Sequence, residues 1–340
     1  MSRSSRERVL ITTTPFGEIS RRPLELLEDA GISYTINPHS RRLTPGEIVA
    51  LIPGHVAVIA GTEPIGREVL ATTGLRLIAR VGIGLDNVDL QAARTLGVQV
   101  AYTPDAPSPA VAELTVGLMI DLLRRISPSD RDLRTGKWSR YPGGRLAACT
   151  VGVIGAGRVG GRVIRHLLGG FEGVRILAND IDAAVIARSE PSVAWVSKET
   201  IYAEADVVSL HVPLTASTWN LVGHRQFAQM KRTAVVVNTS RGGVVVEAEL
   251  EQALRDARIA GAAVDVFERE PYCGPLTERD NCVLTPHLGS MTADCRARME
   301  YEAALEAVSF IQSGRLRSPV PDEEYRLRTQ LVGRPHVAIG

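Results

Sequence analysis

Residues 151–168 have the sequence VGVIGAGRVGGRVIRHLL, in which a glycine-rich turn joins a short apolar run to a helix-like segment. In such a turn Gly155 permits the tight bend, Gly157 lets the backbone approach a pyrophosphate, and Gly160 lets the helix pack on the sheet. The amino terminus of the helix offers free N–H groups and a partial positive charge to a phosphate. This stretch therefore predicts a dinucleotide-binding strand–turn–helix unit.

An acidic residue follows at the spacing expected of such a unit. The next apolar run, Val174–Ala178, leads into Asp180, about twenty residues beyond Gly160. A carboxylate there accepts hydrogen bonds from the adenosine ribose hydroxyls and repels a 2′-phosphate. Asp180 as an ordinary turn residue is the alternative, but the spacing favours the cofactor role. No arginine follows immediately to accept a 2′-phosphate, so we predict NAD rather than NADP as the cofactor.

Short apolar runs alternate with segments of helical period on both sides of this unit, which is typical of parallel α/β proteins. Five strands are predicted before it, at Val9–Thr12, Ser33–Ile36, Val56–Ala60, Leu75–Ala79 and Val98–Tyr102. Seven more are predicted from residue 151 onward, at Val151–Ile154, Val174–Ala178, Val193–Val196, Val207–Leu210, Ala234–Asn238, Ala262–Val266 and Val283–Thr285. Runs that are apolar without alternation suit strands covered on both faces.

Two long amphipathic segments, Pro109–Arg125 and Thr292–Ile311, flank the second series of strands. A domain inserted between two connecting helices would produce this order. We therefore predict an α/β protein of two domains. Residues 1–104 and 291–340 would form one domain that is split in sequence, and residues 105–290 an inserted Rossmann dinucleotide-binding domain. The tail beyond Gly314 shows little periodicity and is expected to lie on the surface.

Composition limits the classes of function. A chain of 340 residues suits two domains, and 44% hydrophobic with 23% charged residues excludes a disordered protein. The net charge of +1 gives no basic field for nucleic acid or an anionic membrane. The four cysteines form no CxxC pair and no zinc spacing, so no metal site is predicted. No secretory signal or long apolar run is evident, and a cytoplasmic location is expected.

Several polar motifs stand at or after the predicted strands. They are RVGIGLDN at 80–87, VAEL at 111–114, HVPLT at 211–215, VNTSRGG at 237–243, AVDVFEREP at 263–271 and LTPHLG at 284–289. This ordered set, which spans roughly residues 8–313, resembles the D-isomer-specific 2-hydroxyacid dehydrogenase family, in particular its phosphoglycerate-dehydrogenase-like subgroup. The resemblance implies that the split domain, 1–104 and 291–340, is a flavodoxin-like substrate domain and that the inserted domain, 105–290, binds NAD. It also implies an NAD-dependent 2-hydroxyacid dehydrogenase that interconverts a small anionic 2-keto acid and its D-2-hydroxy acid by hydride transfer.

The chemistry explains the residue types. Reduction of a 2-keto acid delivers hydride to C2 while a proton reaches the carbonyl oxygen. Arg241 can bind the carboxylate and polarise the carbonyl with paired donors. His287 is the acid for reduction and the base for oxidation, and Glu270 orients its ring and favours the protonated form. The alternatives are that Arg241 is a solvated surface residue, His287 an ordinary loop residue and Glu270 a turn residue. All three alternatives would have to be true at once, and the order and spacing of the motifs argue against that.

The resemblance also implies the remaining site residues. Besides the three glycines and Asp180, the predicted cofactor contacts are Arg158, Val159, His211, Pro213, Thr239 and Asp265, the last on the nicotinamide carboxamide. His211 is expected to have a structural or cofactor-edge role, because only His287 has the Thr-Pro-His context. Substrate contacts are predicted for Arg80 and for the backbone N–H groups of Val81 and Gly82, which would bind the carboxylate.

Departures from the family pattern bear on the substrate. Glu270 stands where formate dehydrogenases of the family have glutamine, which argues against formate. The segment 58–62, VIAGT, lacks the arginine that often holds the phosphate of 3-phosphoglycerate. Hydroxypyruvate, glyoxylate and a phosphonate-bearing keto acid then fit equally well. Val246 precedes Glu247 where the family often has an acidic residue, and we expect altered packing only.

The segment Arg131–Tyr141 predicts a homodimer, because Trp138 lies in a basic, polar stretch and indoles are enriched at interfaces. Packing of Trp138 against its own domain is the alternative. Arg140 is a candidate to reach the partner's site. Two other functions stay open from the sequence: a non-enzymatic NAD(H)-binding regulator of the corepressor kind, and a family member acting on a phosphonate or phosphite substrate.

Overall fold

The protein is described by a computed structural model over residues 7–188 and 190–329, and the chain divides into two compact units. Unit 1 comprises Met1–Pro107 and Ser290–Gly340, and unit 2 comprises Ser108–Gly289. Each unit contains one parallel sheet. None of the described helices combines the length and the apolar character needed to cross a membrane.

The first segment of unit 1 alternates strands and helices. In chain order it contains β1 (Arg8–Ile11), α1 (Arg22–Asp29), β2 (Ser33–Ile36), α2 (Pro45–Leu51), β3 (Ala57–Ala60), α3 (Arg67–Leu70), β4 (Leu77–Arg80), α4 (Leu90–Leu96) and β5 (Gln99–Ala101). The sheet order is β2-β1-β3-β4-β5, which is the flavodoxin-like order. β3 and β4 are buried along their whole length because helices cover both faces of the sheet.

Unit 2 continues the alternation with a larger sheet. It contains α5 (Ser108–Arg124), α6 (Ile126–Arg134), β6 (Thr150–Ile154), α7 (Gly160–Gly170), β7 (Arg175–Asn179), α8 (Ala183–Ala187), β8 (Val193–Trp195), α9 (Lys198–Glu204), β9 (Val207–Leu210), α10 (His224–Phe227), β10 (Val235–Asn238), α11 (Glu247–Arg255), β11 (Gly261–Val264) and β12 (Cys282–Leu284). The order β12-β11-β10-β9-β6-β7-β8 is the Rossmann order with one further strand at the edge. The order reverses between β6 and β9, so the glycine-rich turn lies at the topological switch point.

The chain then returns to unit 1 through α12 (Ala293–Ser313) and α13 (Asp322–Thr329). The prediction that the chain beyond Gly314 lies on the surface is wrong for part of the described tail. Val320 and Tyr325 are buried in the core of unit 1, and the Val320 N–H donates to the Val100 carbonyl at 3.1 Å. The apolar positions of the tail are too widely spaced for a periodic pattern, which hid their packing role. Residues 330–340 lie outside the described residues.

Val246 occupies the N-cap of α11, with extended backbone and no side-chain hydrogen bond to the helix. The expectation that this valine alters packing only is therefore incomplete. The Glu247 and Glu249 N–H groups of the first turn have acceptors, and the Ala248 N–H has none among the described residues. An acid or hydroxyl at the N-cap would accept a hydrogen bond from that donor, which valine cannot do.

The exchange Val246→Thr is expected to stabilise the protein by about 1 kcal/mol, because threonine has nearly the same shape and adds the missing cap acceptor. Urea unfolding of the two proteins measures the difference. Val246→Ala, which removes methyl groups without adding an acceptor, is the control and should be less stable than the unmodified protein. A Val246→Thr protein no more stable than the parent would contradict the cap argument.

Candidate functional site

The glycine-rich turn after β6 is packed tightly on one side and open on the other. A Cβ atom on Gly160 would lie 1.9 Å from the Gly155 carbonyl oxygen, whereas one on Gly157 would meet no atom within 4 Å. Gly155 has a φ of +87°, in the left-handed region that favours glycine. The turn therefore presents backbone to open space at the amino terminus of α7.

Asp180 lies directly over this turn. Its Oδ2 accepts a hydrogen bond from the Ala156 N–H at 2.7 Å, and its Oδ1 accepts one from the Asp182 N–H at 2.9 Å. The carboxylate is partly exposed at the end of β7. Its position beside the glycine-rich turn is the one that the spacing predicted.

His211 follows β9 on the other side of the switch point. Its Nε2 lies 2.8 Å from the Ser209 hydroxyl, and its buried Nδ1 has no hydrogen-bond partner among the described residues. Burial lowers the pKa of His211 to about 3, so the ring is neutral at physiological pH. A neutral ring suits the expected structural or cofactor-edge role and not that of a proton donor.

These features fit a dinucleotide. The open Gly157, the Asp180 carboxylate and the orphaned Nδ1 of His211 surround the switch point of the Rossmann sheet, where dinucleotides bind. The predicted contacts Arg158 and Pro213 are exposed beside it. No group of histidine, cysteine and acidic side chains suited to a metal ion occurs in the part of the chain that the structure describes.

Thr239 and Val159, two other predicted cofactor contacts, offer few side-chain groups to a ligand. The Thr239 hydroxyl lies 2.8 Å from that of Thr115, which itself donates to the Val111 carbonyl, so Thr239 donates its proton to Thr115. Val159 is the N-cap of α7 and has no side-chain acceptor. Any cofactor contact of these two residues would therefore be made mainly through their backbone atoms.

Arg241, Glu270 and His287 follow β10, β11 and β12, three neighbouring parallel strands whose carboxyl ends lie at one edge of the sheet. The Glu270 carboxylate is 2.9 Å and 3.1 Å from Nδ1 of His287 through its two oxygens. Nε2 of His287 has no partner among the described residues, and the side chain is 41% exposed. The ring is thus fixed on one side and accessible on the other.

Glu270 is held as a carboxylate. Burial raises the pKa of its carboxyl, but the hydrogen bond and charge of His287, the Phe267 N–H and the charge of Arg241 outweigh burial and lower the pKa overall. The Phe267 N–H donates to Oε1 at 3.1 Å. A carboxylate fixed in this way holds Nδ1 of His287 and orients the ring.

The backbone of His287 is held in an unusual conformation. Its φ is +55°, which side-chain-bearing residues seldom adopt. Asp265 fixes the turn: its carboxylate accepts hydrogen bonds from the Thr285 hydroxyl at 2.6 Å, the Leu288 N–H at 2.7 Å and the Gly289 N–H at 2.9 Å. Burial raises the pKa of Asp265. Contact between Asp265 and nicotinamide stays a prediction, because the structure shows only these bonds within the turn.

Asn238 holds the turn that carries Arg241, a role that sequence reasoning missed. Its Oδ1 accepts from the Ser240 N–H at 3.1 Å, and its Nδ2 donates to the Arg241 carbonyl at 3.0 Å. A Cβ on Gly242 would lie 1.9 Å from the Phe267 carbonyl, so only glycine lets this turn approach the loop of Glu270. A buried asparagine at the end of an apolar strand was the available signal.

Glu247 forms a second acidic group behind Glu270. Burial, with the charges of Glu268 and Glu270, raises its pKa to about 7, although a backbone hydrogen bond with Glu268 opposes the rise. The N–H groups of Glu247 and Glu268 donate to each other's side chains. Glu247 therefore titrates near neutral pH beside the catalytic carboxylate candidate.

In unit 1 the N–H groups predicted to bind the substrate carboxylate have acceptors within the protein. The Val81 N–H donates to the Ala60 carbonyl at 2.8 Å, and the Gly82 N–H donates to the Thr103 hydroxyl at 2.8 Å. The next two N–H groups, of Ile83 and Gly84, have no acceptor among the described residues. Binding of the carboxylate by Val81 and Gly82 stays a prediction.

Arg80, another predicted substrate contact, also has acceptors within the protein. Its guanidinium is buried, Nε donates to Asn87 Oδ1 at 3.0 Å, and Nη1 donates to the Val81 carbonyl at 3.0 Å. These bonds hold the loop after β4, and a contact between Arg80 and the substrate stays a prediction.

Comparison with known proteins gives a consistent result. Residues 116–289 match the family model described as D-isomer specific 2-hydroxyacid dehydrogenase, NAD binding domain. A glyoxylate reductase of Thermofilum pendens is 38% identical over 74% of this chain and 76% of its own length. A hydroxypyruvate reductase of Thermotoga maritima is 36% identical over 77% of this chain and 87% of its own length.

Longer relatives and solved structures agree. A D-3-phosphoglycerate dehydrogenase of Archaeoglobus fulgidus is 32% identical over 89% of this chain, which spans 58% of that protein. The TT0316 protein of Thermus thermophilus superposes with a TM-score of 0.83 at 32% identity, covering 92% of this chain and 100% of that one. An NADPH-dependent glyoxylate/hydroxypyruvate reductase of Sinorhizobium meliloti, in complex with NADP and malonate, gives 0.80 at 27% identity, covering 93% and 97%.

Proposed function

The chain belongs to the D-isomer specific 2-hydroxyacid dehydrogenase family of nicotinamide-dependent oxidoreductases, and we propose that it is an NAD-dependent reductase of small 2-keto acids, with hydroxypyruvate or glyoxylate as substrate. The observation that carries the proposal is the His287–Glu270 pair, 2.9 Å apart, at the strand edge that also bears Arg241. This pair provides an acid whose ring nitrogen is oriented by a fixed carboxylate.

Arg241, Glu270 and His287 have separate roles in the proposed reaction. Arg241 binds the keto acid and polarises its carbonyl through the paired N–H donors of the guanidinium. Glu270 accepts the proton of His287 Nδ1, which leaves Nε2 as the atom that donates a proton to the carbonyl oxygen. The dinucleotide, when bound, supplies hydride to C2. In the oxidation direction, neutral His287 takes the proton from the substrate hydroxyl at the same nitrogen.

The substrate carboxylate is assigned to the N–H groups of Ile83 and Gly84, in place of those of Val81 and Gly82. The assignment is supported by the internal hydrogen bonds of the earlier pair and by the lack of an acceptor for the later pair among the described residues. Backbone N–H groups at the carboxyl end of a parallel strand suit an anion.

The names of the relatives support the choice of substrate. Those cited are reductases or dehydrogenases of 2-hydroxy acids, which favours an enzyme over the non-enzymatic regulator. The buried Arg80 gives no support to a phosphate-bearing substrate. Hydroxypyruvate and glyoxylate are therefore favoured as substrates over a phosphonate or phosphite.

A panel of 2-keto acids with NADH and with NADPH tests the proposal, with absorbance of the reduced cofactor as the readout. Oxidation of NADH by hydroxypyruvate or glyoxylate is expected, and His287→Ala serves as the inactive control. Binding of NADH without turnover of any keto acid would overturn the proposal in favour of the regulator. Reduction of NAD by phosphite, with no keto acid turned over, would instead favour the phosphite alternative.

Asp180→Ala is expected to weaken NADH binding by about 10–100-fold, the worth of a hydrogen bond to a charged group, and to relax discrimination against NADPH. Fluorescence titration with both cofactors measures this. Asp182→Ala removes an equal charge two residues away, from the N-cap of α8, and should leave the cofactor preference unchanged. If the unmodified protein binds NADPH more tightly than NADH, the role given to Asp180 is wrong.

A homodimer through α6 and the segment after it is proposed. Among the described residues of α6 none is buried, and Leu133 and Trp138 are 60% and 81% exposed, so Trp138 does not pack against its own unit. Apolar surface of this kind is typical of an interface. A cavity of about 450 Å³, lined in part by Pro128 and Asp280, adjoins the segment at the amino ends of the unit 2 strands, the edge opposite the catalytic candidates.

Sedimentation at micromolar concentration is expected to show a dimer, and Leu133→Asp to shift it toward monomer. Leu96→Asp places the same charge on an exposed leucine of unit 1 and should leave the dimer intact. A monomer in the unmodified protein would dispose of the proposal. Whether Arg140 acts across the dimer stays a prediction.

A further inference from the structure

The strand order of unit 1 reverses between β1 and β3, and the loops after these two strands meet at that point. In open parallel sheets, ligands bind in the crevice outside the carboxyl ends at such a reversal. We call the meeting point of Thr12, Thr13, Gly61 and Glu63 the β1–β3 crevice. It belongs to the unit that carries the N–H groups assigned above to the substrate carboxylate.

A carboxylate of the protein itself closes this crevice. Oε1 of Glu63 accepts a hydrogen bond from the Gly61 N–H at 2.8 Å and a short one from the Thr12 hydroxyl. Glu63 is only 2% exposed. Its side chain therefore bridges the first residue after β1 and the first residue after β3. It uses the Gly61 N–H, and it shares the Thr12 hydroxyl with the Ile59 carbonyl, which lies 3.2 Å from that hydroxyl.

The loop that holds Glu63 is itself fixed. The Asn87 side-chain amide donates to the Gly61 carbonyl at 3.0 Å and to the Glu63 carbonyl at 2.7 Å, and Arg80 orients Asn87. The same loop therefore lies against the segment after β4. The Glu63 carboxylate is placed by this network and not by a flexible surface loop.

Residue 61 has no room for a side chain in this arrangement. A Cβ atom there would lie 2.5 Å from the Thr13 hydroxyl oxygen and 2.9 Å from Oε2 of Glu63. A cationic side chain cannot be presented from this position while Glu63 closes the crevice. The crevice thus has a negative group of its own, while the nearby cations Arg42 and Arg80 donate to the Thr62 and Ala60 carbonyls.

From this geometry we infer that Glu63 is a specificity-determining residue. It excludes 2-keto acids that carry a second anionic group beyond C2 and leaves those with a small, uncharged group there as substrates. The inference rests on the proposed function. Two effects act together: the carboxylate repels a phosphate at short range in a partly desolvated site, and it saturates the Gly61 and Thr12 donors. Hydroxypyruvate is accepted, and its 3-phosphorylated form is rejected.

The test compares kcat/KM for hydroxypyruvate and for 3-phosphohydroxypyruvate with NADH in four proteins. The unmodified protein is expected to favour hydroxypyruvate by about 100-fold or more. Glu63→Gln keeps the shape and removes the charge, and should raise the relative use of the phosphorylated substrate by about 10-fold. Glu63→Ala also frees the two donors and should raise it further. Glu68→Gln, which removes an exposed charge of the same unit, is the control and should change nothing.

Inorganic phosphate gives a second readout that needs no turnover. Phosphate should raise the melting temperature of Glu63→Ala more than that of the unmodified protein, because the Gly61 N–H and Thr12 hydroxyl become available to it. Equal use of both substrates by the unmodified protein would overturn the inference, as would folded Glu63 variants whose substrate ratio stays within twofold of the parent. If no keto acid is reduced at all, the proposed function fails, and phosphate binding alone decides the role of Glu63.

Discussion

Replacement of His287 by alanine is expected to lower turnover by about 10²–10⁴-fold, the usual contribution of general acid catalysis. Nδ1 of His287 is bound to Glu270, and the accessible Nε2 is the donor that the carbonyl oxygen would lose. Cofactor affinity should barely change, because the proposed cofactor contacts lie mainly on the glycine-rich turn. Single-turnover measurement of NADH oxidation separates this loss from changes in product release. Unchanged hydride transfer in His287→Ala would overturn the mechanism.

Replacement of Glu270, the hydrogen-bond partner of His287, is expected to change the pH dependence of the reaction. Glu270→Gln keeps the shape of the side chain but removes the negative charge that stabilises the imidazolium. Without that charge, proton donation from Nε2 is less favourable, so the pH profile of reduction should move to lower pH. The profile of oxidation, in which His287 accepts the proton, should move in the same direction. The charged groups around the pair are Arg241, which favours ionised Glu270, and the carboxylates of Glu247 and Asp265.

Glu247 supplies a control for the pH profile. Its pKa of about 7 means that it loses its proton across the range in which reduction is measured, next to Glu270. Glu247→Gln removes that second titration and leaves the His287–Glu270 hydrogen bonds in place. We expect it to change the steepness of the profile near neutral pH and not the shift that Glu270→Gln causes. A Glu270→Gln profile identical to the parent's would contradict the proposed role of Glu270.

Local patterns were sufficient to predict the α/β class and its parallel strands. Strands covered on both faces are apolar throughout, and a glycine-rich turn between such a strand and a helix has few structural alternatives. The pair His287–Glu270 was predicted from the motifs AVDVFEREP and LTPHLG, which resemble those of the family, and from the need for a proton donor in keto acid reduction. The order of the twelve strands is a property of long-range packing and was not available from these patterns.

Other features depend on which groups are already paired in the folded chain, and sequence patterns do not show this pairing. The Val81 and Gly82 N–H groups donate to Ala60 and Thr103, partners 21 residues away in sequence. Arg80 is a residue type common in binding sites, but its side chain is buried. Helix α6 was not predicted for a different reason: its sequence is mostly polar and it buries no side chain, so no apolar run marked it.

Replacement of Arg241 by lysine is expected to lower kcat/KM by about 10²–10³-fold, comparable to the loss of a donor that stabilises developing charge on a carbonyl oxygen. Lysine keeps the positive charge, but an ammonium group cannot reproduce the paired, planar donors of guanidinium. The exchange also removes a bond within the turn, because Nη1 of Arg241 donates to the Ser240 carbonyl at 2.5 Å, whereas Asn238 still holds the carbonyl of residue 241. The measurement is the steady-state kinetics of NADH oxidation over a range of keto acid concentrations.

The control for this prediction is Arg269, the neighbour of Glu270 in the sequence. Arg269→Lys makes the same exchange at an exposed arginine next to Glu270 and should leave kcat/KM within about twofold of the parent. If Arg241 only supplied charge, the lysine variant would behave like this control, because the charge is retained. If it supplies geometry as well, KM rises through weaker carboxylate binding, and kcat falls through weaker polarisation of the carbonyl. If Arg241→Lys has the same kinetics as the control, the role proposed for the Arg241 guanidinium is wrong. The roles of His287 and Glu270 would not be affected by that result.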